Sequence, residues 1–329
     1  MANELAVERV KEIKPMRDDL PDDFFITCGS FEDRFLGVPK IIRNDLFRDF
    51  VIFKFEEINE RREKLIKEME DILFLCNSDD TYHKIHCTHG KSMEAVIKFN
   101  QFLQTINMHE RKLFITIDMS TFTKDLLINL IMYLINFTSM KKLRLLYTIP
   151  KRYASAGEGW LSSGIKSIHI PPLSWNAWSP VKDNLLIVIL GFEEIRAWSL
   201  IERFSTDRCW LFTTNPGSKA KWNNYCGEYN KRLINKKLPI GNIPALNPFD
   251  IAKTLSTFIT NESFQKYNIF LCPLGTKPQV VGILYLITMK SLPLNLLTTT
   301  AISHNIPYYS SGIEDTFEFY FPLRGDRND

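Results

Sequence analysis

The loop 118–124 (DMSTFTK) combines residue types that could bind an anion. It follows an apolar run at 113–117 and precedes an amphipathic stretch, so the pattern predicts a loop between a strand and a helix. Backbone N–H groups at a helix start attract negative charge, and a lysine adds a point charge suited to phosphate. The candidate ligand contacts are Ser120, Thr121, Thr123 and Lys124. The alternative is that Ser120 or Thr121 only caps the helix.

A second loop of this kind lies in the C-terminal half of the chain. Gly275, Thr276 and Lys277 follow an apolar run and precede Pro278, which suits the first turn of a helix. These three residues before the proline are candidate ligand contacts for the same reason, again with helix capping as the alternative.

The motif G-x-x-E-x-R occurs twice, each time after a buried apolar run. It comprises Gly29, Glu32 and Arg34 in the first half, and Gly191, Glu194 and Arg196 in the second. In a parallel sheet such loops lie at the carboxyl ends of the strands, where ligands bind. The candidate ligand contacts here are Ser30, Phe31, Arg34 and Arg196. The alternative is that each Glu–Arg pair is structural and fixes its loop; in an enzyme, Glu32 or Glu194 would be the acid/base candidate.

Short apolar runs alternate with longer amphipathic stretches along the whole chain. The runs predict strands at 24–28, 50–55, 113–117, 143–148, 185–190, 209–213, 267–272 and 294–299. The stretches predict helices at 56–75, 93–103, 125–137, 194–204, 248–259 and 280–289. This alternation predicts an α/β fold with parallel sheets covered by helices.

Three short motifs recur in the same order and with similar gaps, which predicts an internal duplication. They are G-x-x-E-x-R, the Thr-Lys pair that opens a helix, and Y-x-S-x-G, found at 153–157 and 308–312. We therefore predict two tandem Rossmann-like parallel-sheet halves that form a pseudo-symmetric pair. The predicted division is an N-terminal helical extension at 1–20, a first half at 21–170 and a second half at 171–329.

The composition excludes a disordered chain. Of 329 residues, 45% are hydrophobic, and 41 Lys+Arg nearly balance 38 Asp+Glu for a net charge of +3. This balance gives no indication of direct nucleic-acid binding. No secretory signal is evident at the start, and the most apolar stretch, 126–137, is too short for a membrane span. With six scattered cysteines, the sequence predicts a cytoplasmic protein without membrane contact.

Two weaker patterns have ordinary explanations. The segment His83–His89 holds three of the six histidines and a cysteine, but no second ligand cluster accompanies it, so a solvated loop is favoured over a zinc site. Trp160, Trp175 and Trp178 lie near the junction of the halves, where packing is favoured over a surface for base stacking. We expect no metal and no cofactor.

The pattern Asp118-x-Ser120-x-x-x-Lys124 between a strand and a helix resembles the signature loop of CARF domains, the CRISPR-associated Rossmann-fold sensors of nucleotide second messengers. The resemblance implies that Ser30–Arg34 and Ser120–Lys124 line a ligand pocket. A tandem pair in one chain is similar to a fused CARF dimer, as in the related SAVED sensors of bacterial anti-phage systems.

The resemblance implies an antiviral defence sensor that binds a nucleotide-type ligand in the cleft between its halves and signals to a separate effector protein. The second half departs from the signature at Leu271 and Pro273, so a small or linear nucleotide held mainly by one half is as consistent as a cyclic one. The alternatives are an enzyme that processes nucleotides in the same cleft and a structural subunit of a defence complex.

Overall fold

The chain forms two compact units in the computed structural model. Described residues are 6–18, 20–57, 59–75, 81–108, 111–153, 161–174, 176, 178–204, 206–215, 225–236 and 238–323. The first unit comprises Met1–Tyr153 with Ser310–Asp329, and the second comprises Ala154–Tyr309. These units differ from the predicted domains, because the last strand of the chain returns to the first sheet and the segment 161–169 pairs within the second unit.

The strands of the described residues are numbered in chain order. They are β1 (Glu8–Val10), β2 (Asp22–Cys28), β3 (Phe47–Phe55), β4 (Tyr82–Cys87), β5 (Leu113–Asp118), β6 (Met140–Thr148), β7 (Arg152–Tyr153), β8 (Ser162–Ser163), β9 (Ser167–His169), β10 (Asp183–Ile189), β11 (Arg208–Asn215), β12 (Ile240–Pro244), β13 (Tyr267–Pro273), β14 (Leu294–Leu296), β15 (Thr298–Thr300), β16 (Ser303–His304), β17 (Ser310–Ser311) and β18 (Thr316–Phe321).

The α-helices of the described residues are numbered in the same way. They are α1 (Glu60–Ile72), α2 (Ser92–Thr105), α3 (Lys124–Phe137), α4 (Glu194–Arg203), α5 (Tyr225–Tyr229), α6 (Lys231–Ile234), α7 (Pro248–Phe258), α8 (Asn261–Lys266), α9 (Lys277–Thr288) and α10 (Ile306–Tyr309). Short 3-10 turns occur at Asp33–Leu36, Asn44–Leu46 and Pro172–Ser174. Among the described helices, none combines the length and the apolar character that crossing a bilayer requires.

The first unit is built on a sheet of order β1-β18-β6-β5-β2-β3-β4. Strands β2 to β6 are mutually parallel, whereas β18 pairs with β6 and β1 pairs with β18 in the antiparallel sense. Along the chain, the strand order first runs from β2 outward to β4 and then restarts on the other side of β2 with β5. The switch point of the sheet therefore lies between the carboxyl ends of β2 and β5.

Strand β2 is buried on both faces, which explains why the residues 24–28 are apolar except for Thr27. Phe25 belongs to a core with Leu65, Ile66 and Met69 of α1. Its neighbour Phe24 contacts Phe99 of α2, with ring centroids 6.5 Å apart. Adjacent residues on a strand point to opposite faces, so this one strand anchors a helix on each side of the sheet.

The second unit has a sheet of order β12-β11-β10-β13-β14, in which every pair is parallel. Leu186 and Val188 of β10 pack with Ala197 and Leu200 of α4. Helices α7 and α9 also pack closely, because Gly282 lacks a side chain: a Cβ there would lie 2.6 Å from the carbonyl oxygen of Pro248. The switch point of this sheet lies between β10 and β13.

Seven of the eight predicted strands and all six predicted helices are confirmed as elements, with ends that shift by a few residues. The single strand predicted at 294–299 is wrong, because the segment forms two strands, β14 paired with β13 and β15 paired with β9. The predicted loop at His83–His89 is wrong, because Tyr82–Cys87 forms β4 at the edge of the first sheet. The predicted helical extension at 1–20 is also wrong for its described residues, which contain the strand β1 and no helix. Pro15 prevents a continuous helix there, and β1 gains its backbone hydrogen bonds from β18 instead.

Candidate functional site

The two loops at the switch point of the first unit are joined by a hydrogen bond. The Thr121 hydroxyl, in the loop after β5, donates to the carbonyl oxygen of Cys28 at the end of β2, at 2.7 Å. The Gly29 N–H donates to the Phe53 carbonyl at 2.9 Å, which ties the same loop to β3. The structure thus brings the predicted contact segments Ser30–Arg34 and Ser120–Lys124 to one edge of the sheet.

Ser120 is fully buried and bonded inside the protein. Asp118 Oδ1 accepts hydrogen bonds from the Ser120 N–H at 3.1 Å and from its hydroxyl at 2.5 Å. The Ser120 hydroxyl also accepts from the Thr148 N–H on β6 at 2.8 Å. The Asp-x-Ser pattern therefore fixes the loop against the neighbouring strand.

The helix after this loop begins at Lys124, and Thr123 is its N-cap, with the Thr123 hydroxyl accepting from the Leu126 N–H at 3.4 Å. The alternative that Ser120 or Thr121 caps α3 is wrong, because their hydroxyls bond elsewhere. Lys124 and Thr123 are half-buried, so both reach the surface where α3 starts. The first turn of α3 therefore combines the positive end of the helix dipole with a lysine residue.

Glu32 and Arg34 form a buried ion pair, with only 5% and 3% of their side chains exposed. Arg34 donates from Nε to Glu32 Oε2 at 2.9 Å and from Nη2 to Oε1 at 3.0 Å, while the Ser310 hydroxyl donates to Oε2 at 2.6 Å. Burial lowers the pKa of Arg34, but the charge of Glu32, with Tyr153 and Tyr147, raises it well above its ordinary value. The pair is thus a neutralised internal clamp.

The two residues before this pair differ in exposure. Ser30 is buried, and its hydroxyl accepts from the Glu32 N–H at 3.2 Å. Phe31 is half-buried and reaches the surface at the end of β2. Of the predicted contacts after β2, Phe31 is the one with a partly exposed side chain, since Ser30 and Arg34 are both buried.

The second unit has a similar Glu–Arg pair after β10, but the glutamate in it is Glu193 and not Glu194. Arg196 donates from Nη1 to Glu193 Oε2 at 2.6 Å, not to Glu194, and the Ser162 hydroxyl donates to Glu193. Arg196 also donates from Nη2 to the Thr299 hydroxyl at 2.7 Å. Burial lowers the pKa of Arg196, but the neighbouring Glu193 carboxylate, with smaller contributions, raises it above its ordinary value. The predicted pairing of Arg196 with Glu194 is therefore wrong.

Glu194 holds a different element. Its carboxylate accepts from Arg232 Nε at 2.9 Å and from the Leu233 N–H at 2.9 Å, so it fastens the start of α4 to α6. Neither Glu32 nor Glu194, the two acid/base candidates, has a carboxylate clear of internal donors.

The loop 275–277 precedes α9 as predicted, with Pro278 in the first turn. The Thr276 hydroxyl donates to the Ala245 carbonyl at 2.5 Å, and its N–H donates to Gln279 Oε1 at 2.8 Å. Gly275 and Lys277 are half-buried beside it. The threonine is therefore engaged in holding the helix start.

A buried polar cluster lies at the carboxyl ends of β10 and β11, and no sequence motif indicates it. The Asn230 amide donates to the carbonyl oxygens of Gly191 at 2.7 Å and Cys226 at 2.8 Å. The Thr214 hydroxyl donates to the Leu190 carbonyl at 2.7 Å and accepts from Gln279 Nε2 at 3.1 Å. The partners are far apart in the sequence, so only the folded chain shows the cluster.

Gly191→Ala is expected to lower the free energy of unfolding by about 1–3 kcal/mol, the usual cost of overpacking. A Cβ at Gly191 would lie 2.5 Å from the Leu274 carbonyl oxygen, a backbone atom at the switch point of the second unit. Gly227→Ala in α5 is the control: nothing lies within 4 Å of its Cβ position, so we expect unchanged or slightly higher stability. Urea unfolding measures both variants. Equal unfolding midpoints for Gly191→Ala and Gly227→Ala would contradict the prediction and would show that the backbone at Leu274 moves away from the added Cβ at little cost.

Two of the three histidines in the segment His83–His89 contact side chains of the first unit. His83 Nε2 lies 3.0 Å from Asp49 Oδ1, and the His89 ring stacks on Phe55 with centroids 3.9 Å apart. Within the described residues, no three His, Cys, Asp or Glu side chains are grouped as metal ligands.

Several predicted features fall partly outside the described residues. These are Trp160, Trp175, Ser155 and Gly157. Trp178 is half exposed, with its Nε1 donating to Asn184 at 3.4 Å, and Tyr153 is half-buried and interacts with Tyr147 and Arg34. In the second Y-x-S-x-G copy, Ser310 and the Gly312 N–H bond to the acidic residues of the loop after β2.

No protein family and no curated protein sequence matches the chain.

Proposed function

We propose that the chain is a sensor that binds an anionic, nucleotide-type ligand at the carboxyl ends of its parallel strands. The observation that carries this proposal is the arrangement at the first switch point. There the loops after β2 and β5 are joined through Thr121 and Cys28, and α3 starts with Lys124 at a partly exposed position. A helix start and a lysine at a switch point favour a phosphate-bearing guest.

Binding is favoured over catalysis because the acid/base candidates are engaged. Glu32 accepts from Arg34 and from Ser310 while 95% shielded from solvent, and Glu194 accepts from Arg232 and Leu233. A general base needs a lone pair that is free to take a proton from the substrate. The carboxylate oxygens of both residues already accept hydrogen bonds from inside the protein.

We also propose that the two units are Rossmann-like copies of one ancestral half and form a pseudo-symmetric pair. The five parallel strands of the two central sheets have the same order, and each unit carries a Glu–Arg pair with a serine on its carboxylate, after β2 in the first unit and after β10 in the second. In each unit a Thr-Lys pair lies at the start of a helix: Thr123 and Lys124 at α3, which follows β5, and Thr276 and Lys277 at α9, which follows β13. The CARF-like resemblance extends this proposal to a ligand bound between the halves and a separate effector protein in a defence-type system.

The first test is to identify what the protein binds. Small molecules retained by the purified chain would be identified by mass spectrometry, and binding would then be measured with mononucleotides, linear oligonucleotides and cyclic oligonucleotides. A ligand retained intact supports the sensor. Turnover that disappears in Glu32→Gln would instead support an enzyme.

Lys124→Ala is expected to weaken binding of the best nucleotide of that panel about tenfold, the effect of losing one charge-assisted hydrogen bond. Lys112→Ala is the matched control, because Lys112 is exposed just before β5, at the opposite end of that strand. Isothermal titration calorimetry at fixed salt measures both affinities. If no nucleotide binds, or if the two variants lose affinity equally, the proposal fails and a structural subunit is favoured.

A further inference from the structure

The amino end of the first sheet, opposite to the proposed ligand site, has exposed cationic side chains. Arg111 precedes β5, and Lys141 and Lys142 lie at the start of the neighbouring strand β6. All three residues are exposed, and we call them the basic cluster. The two segments are adjacent in space, because the Leu113 N–H donates to the Ser139 carbonyl oxygen at 2.7 Å where β5 and β6 begin to pair.

A shift in the register of β5 and β6 exposes two consecutive lysines. Leu113 lies opposite Met140, but the next residue of β5, Phe114, lies opposite Lys142, so Lys141 is an extra residue in β6. In a regular strand, adjacent side chains point to opposite faces of the sheet. An extra residue re-aims a side chain, and both lysines are exposed here. This end of the sheet therefore presents two adjacent positive charges to solvent.

The carboxylates at this end of the sheet do not neutralise the basic cluster. Asp22 is buried and pairs with Arg144 at 2.9 Å, and Asp23 is buried and pairs with Arg17 at 3.0 Å. In the part of the chain that the structure describes, no salt bridge involves the basic cluster. The exposed Asp18, in the loop before β2, can offset one of the three charges at most. The surface therefore keeps a local positive charge.

Two large apolar side chains are exposed at the same end of the sheet. Phe137, the last residue of α3 before β6, is 63% exposed, and Leu20, just before β2, is 61% exposed. Phe137 stacks on Tyr133, with ring centroids 6.1 Å apart, so its ring is held in place on the helix. Phenylalanine and arginine are both enriched where proteins bind other proteins, which makes this combination typical of a protein-binding surface.

We propose that this end of the first sheet is a docking surface for an acidic segment of a partner protein, a segment that also carries an apolar side chain. The basic cluster supplies charge complementarity, and Phe137 with Leu20 supplies the apolar contact. A protein is favoured over a nucleic acid, because a nucleic-acid surface needs a basic field over the whole domain and this chain has a net charge of only +3. Two apolar side chains are too few for the continuous apolar face that binds a lipid surface.

The docking surface and the proposed nucleotide site lie at opposite ends of the same strands. Strand β5 has six residues, and at about 3.3 Å per residue it separates the two ends by about 17 Å. A partner at the basic cluster therefore leaves the start of α3 open. The identification of this partner with the effector protein rests on the proposed function, whereas the docking itself needs no nucleotide.

The test is selection from a random-sequence peptide library, displayed on phage, against the purified full chain. We expect the retained peptides to be enriched in Asp and Glu around a Phe, Leu or Trp. The affinity of the most enriched peptide, measured by isothermal titration calorimetry, should fall about tenfold in the double variant Lys141→Glu with Lys142→Glu, because like charges then face each other. The affinity for the unchanged chain should also weaken as salt is raised.

Lys64→Glu with Lys67→Glu is the matched control. Both lysines are exposed on α1 of the same unit, and the net charge of the chain changes by the same amount. This variant should keep the affinity of the unchanged chain within about twofold, because salt screens distant charges. If both double variants lose affinity equally, or if the retained peptides have no excess of acidic residues, the proposal is overturned.

Phe137→Gln tests the apolar part of the surface and keeps the proposal falsifiable if the variant with two glutamates does not fold. Phe137 is exposed at a helix end, so we expect an unchanged unfolding midpoint together with about tenfold weaker peptide binding. Unchanged peptide binding in this variant would overturn the docking surface as proposed.

Two competing probes distinguish other partners. Oligothymidylate and phosphatidylserine vesicles would be tested under the same conditions, and tighter binding of either one, lost in Lys141→Glu with Lys142→Glu, would overturn a protein as the partner. The peptide selection is carried out without nucleotide. A negative result therefore leaves the binding result at Lys124 standing, and a protein that binds no nucleotide can still bind an acidic peptide.

Discussion

Arg34→Met is expected to lower the free energy of unfolding by about 3–5 kcal/mol, the usual effect of leaving one charge of a buried pair alone. Arg34 donates twice to Glu32 and once, at 3.3 Å, to the Tyr147 hydroxyl. Methionine fills most of the volume of the aliphatic part, so the loss is mainly electrostatic. Chemical denaturation followed by far-UV circular dichroism measures the change.

Arg232→Met is the matched control for this prediction. Arg232 also pairs with a glutamate at 2.9 Å, but 82% of its side chain is exposed, so we expect a change below about 1 kcal/mol. The double change Glu32→Gln with Arg34→Met should recover part of the loss, because no uncompensated charge stays buried. Equal losses for the two arginine variants would show that burial is not what makes the Glu32–Arg34 pair matter.

The elements of the fold could be predicted because burial leaves a clear pattern in this chain. Strands such as β2 and β10, covered on both faces, have predominantly apolar runs, and α1 has charges around a narrow apolar stripe. The edge strand β4 has alternate exposed polar residues, His and Lys among them, and this weak pattern resembles a loop. Edge strands rely on one neighbour for their hydrogen bonds, which the local sequence does not show.

The path of the chain between units could not be predicted, because strand pairing is a long-range property. Nothing in the segment 316–321 indicates that it pairs with β6, more than 160 residues earlier. The spacing of the motifs predicted where the loops of the candidate site lie, but it did not predict which partners their side chains bond. Ser120 and Thr121 bond inward, and Arg196 selects Glu193 over Glu194, since orientation on the first turn of α4 decides the partner.

A second buried ion pair, with no signal in the sequence, leads to the other large expected effect. Arg144 of β6 donates to Asp22 at 2.9 Å, to the Thr116 hydroxyl at 2.9 Å and to the Lys14 carbonyl at 2.6 Å. Its side chain is 1% exposed and that of Asp22 is 0% exposed. Arg144→Met is therefore expected to cost about 3–5 kcal/mol at pH 7.

This loss should depend on pH, because a proton can neutralise the buried Asp22 carboxylate once Arg144 is removed. Burial raises the pKa of Asp22 above its ordinary value, although the Met16 N–H and Arg144 lower it. Removing Arg144 raises the pKa of Asp22 in the folded state further. At a pH between the ordinary aspartate pKa and this raised pKa, Asp22 is protonated in the folded state but ionised in the unfolded state. The free energy of unfolding therefore falls as the pH rises through this range. We expect Arg144→Met to regain stability between pH 7 and about pH 4, in urea unfolding at several pH values.

The variant Asp22→Asn with Arg144→Met isolates the cause of this pH dependence. Asparagine keeps an oxygen that can accept from the Met16 N–H, which bonds Asp22 Oδ1 at 2.9 Å, but it has no carboxylate to titrate. The double variant should be more stable than Arg144→Met at pH 7 and should lack the additional gain on acidification. A gain of the same size in both would assign it to other carboxylates and would show that Asp22 is not the buried charge that Arg144 compensates.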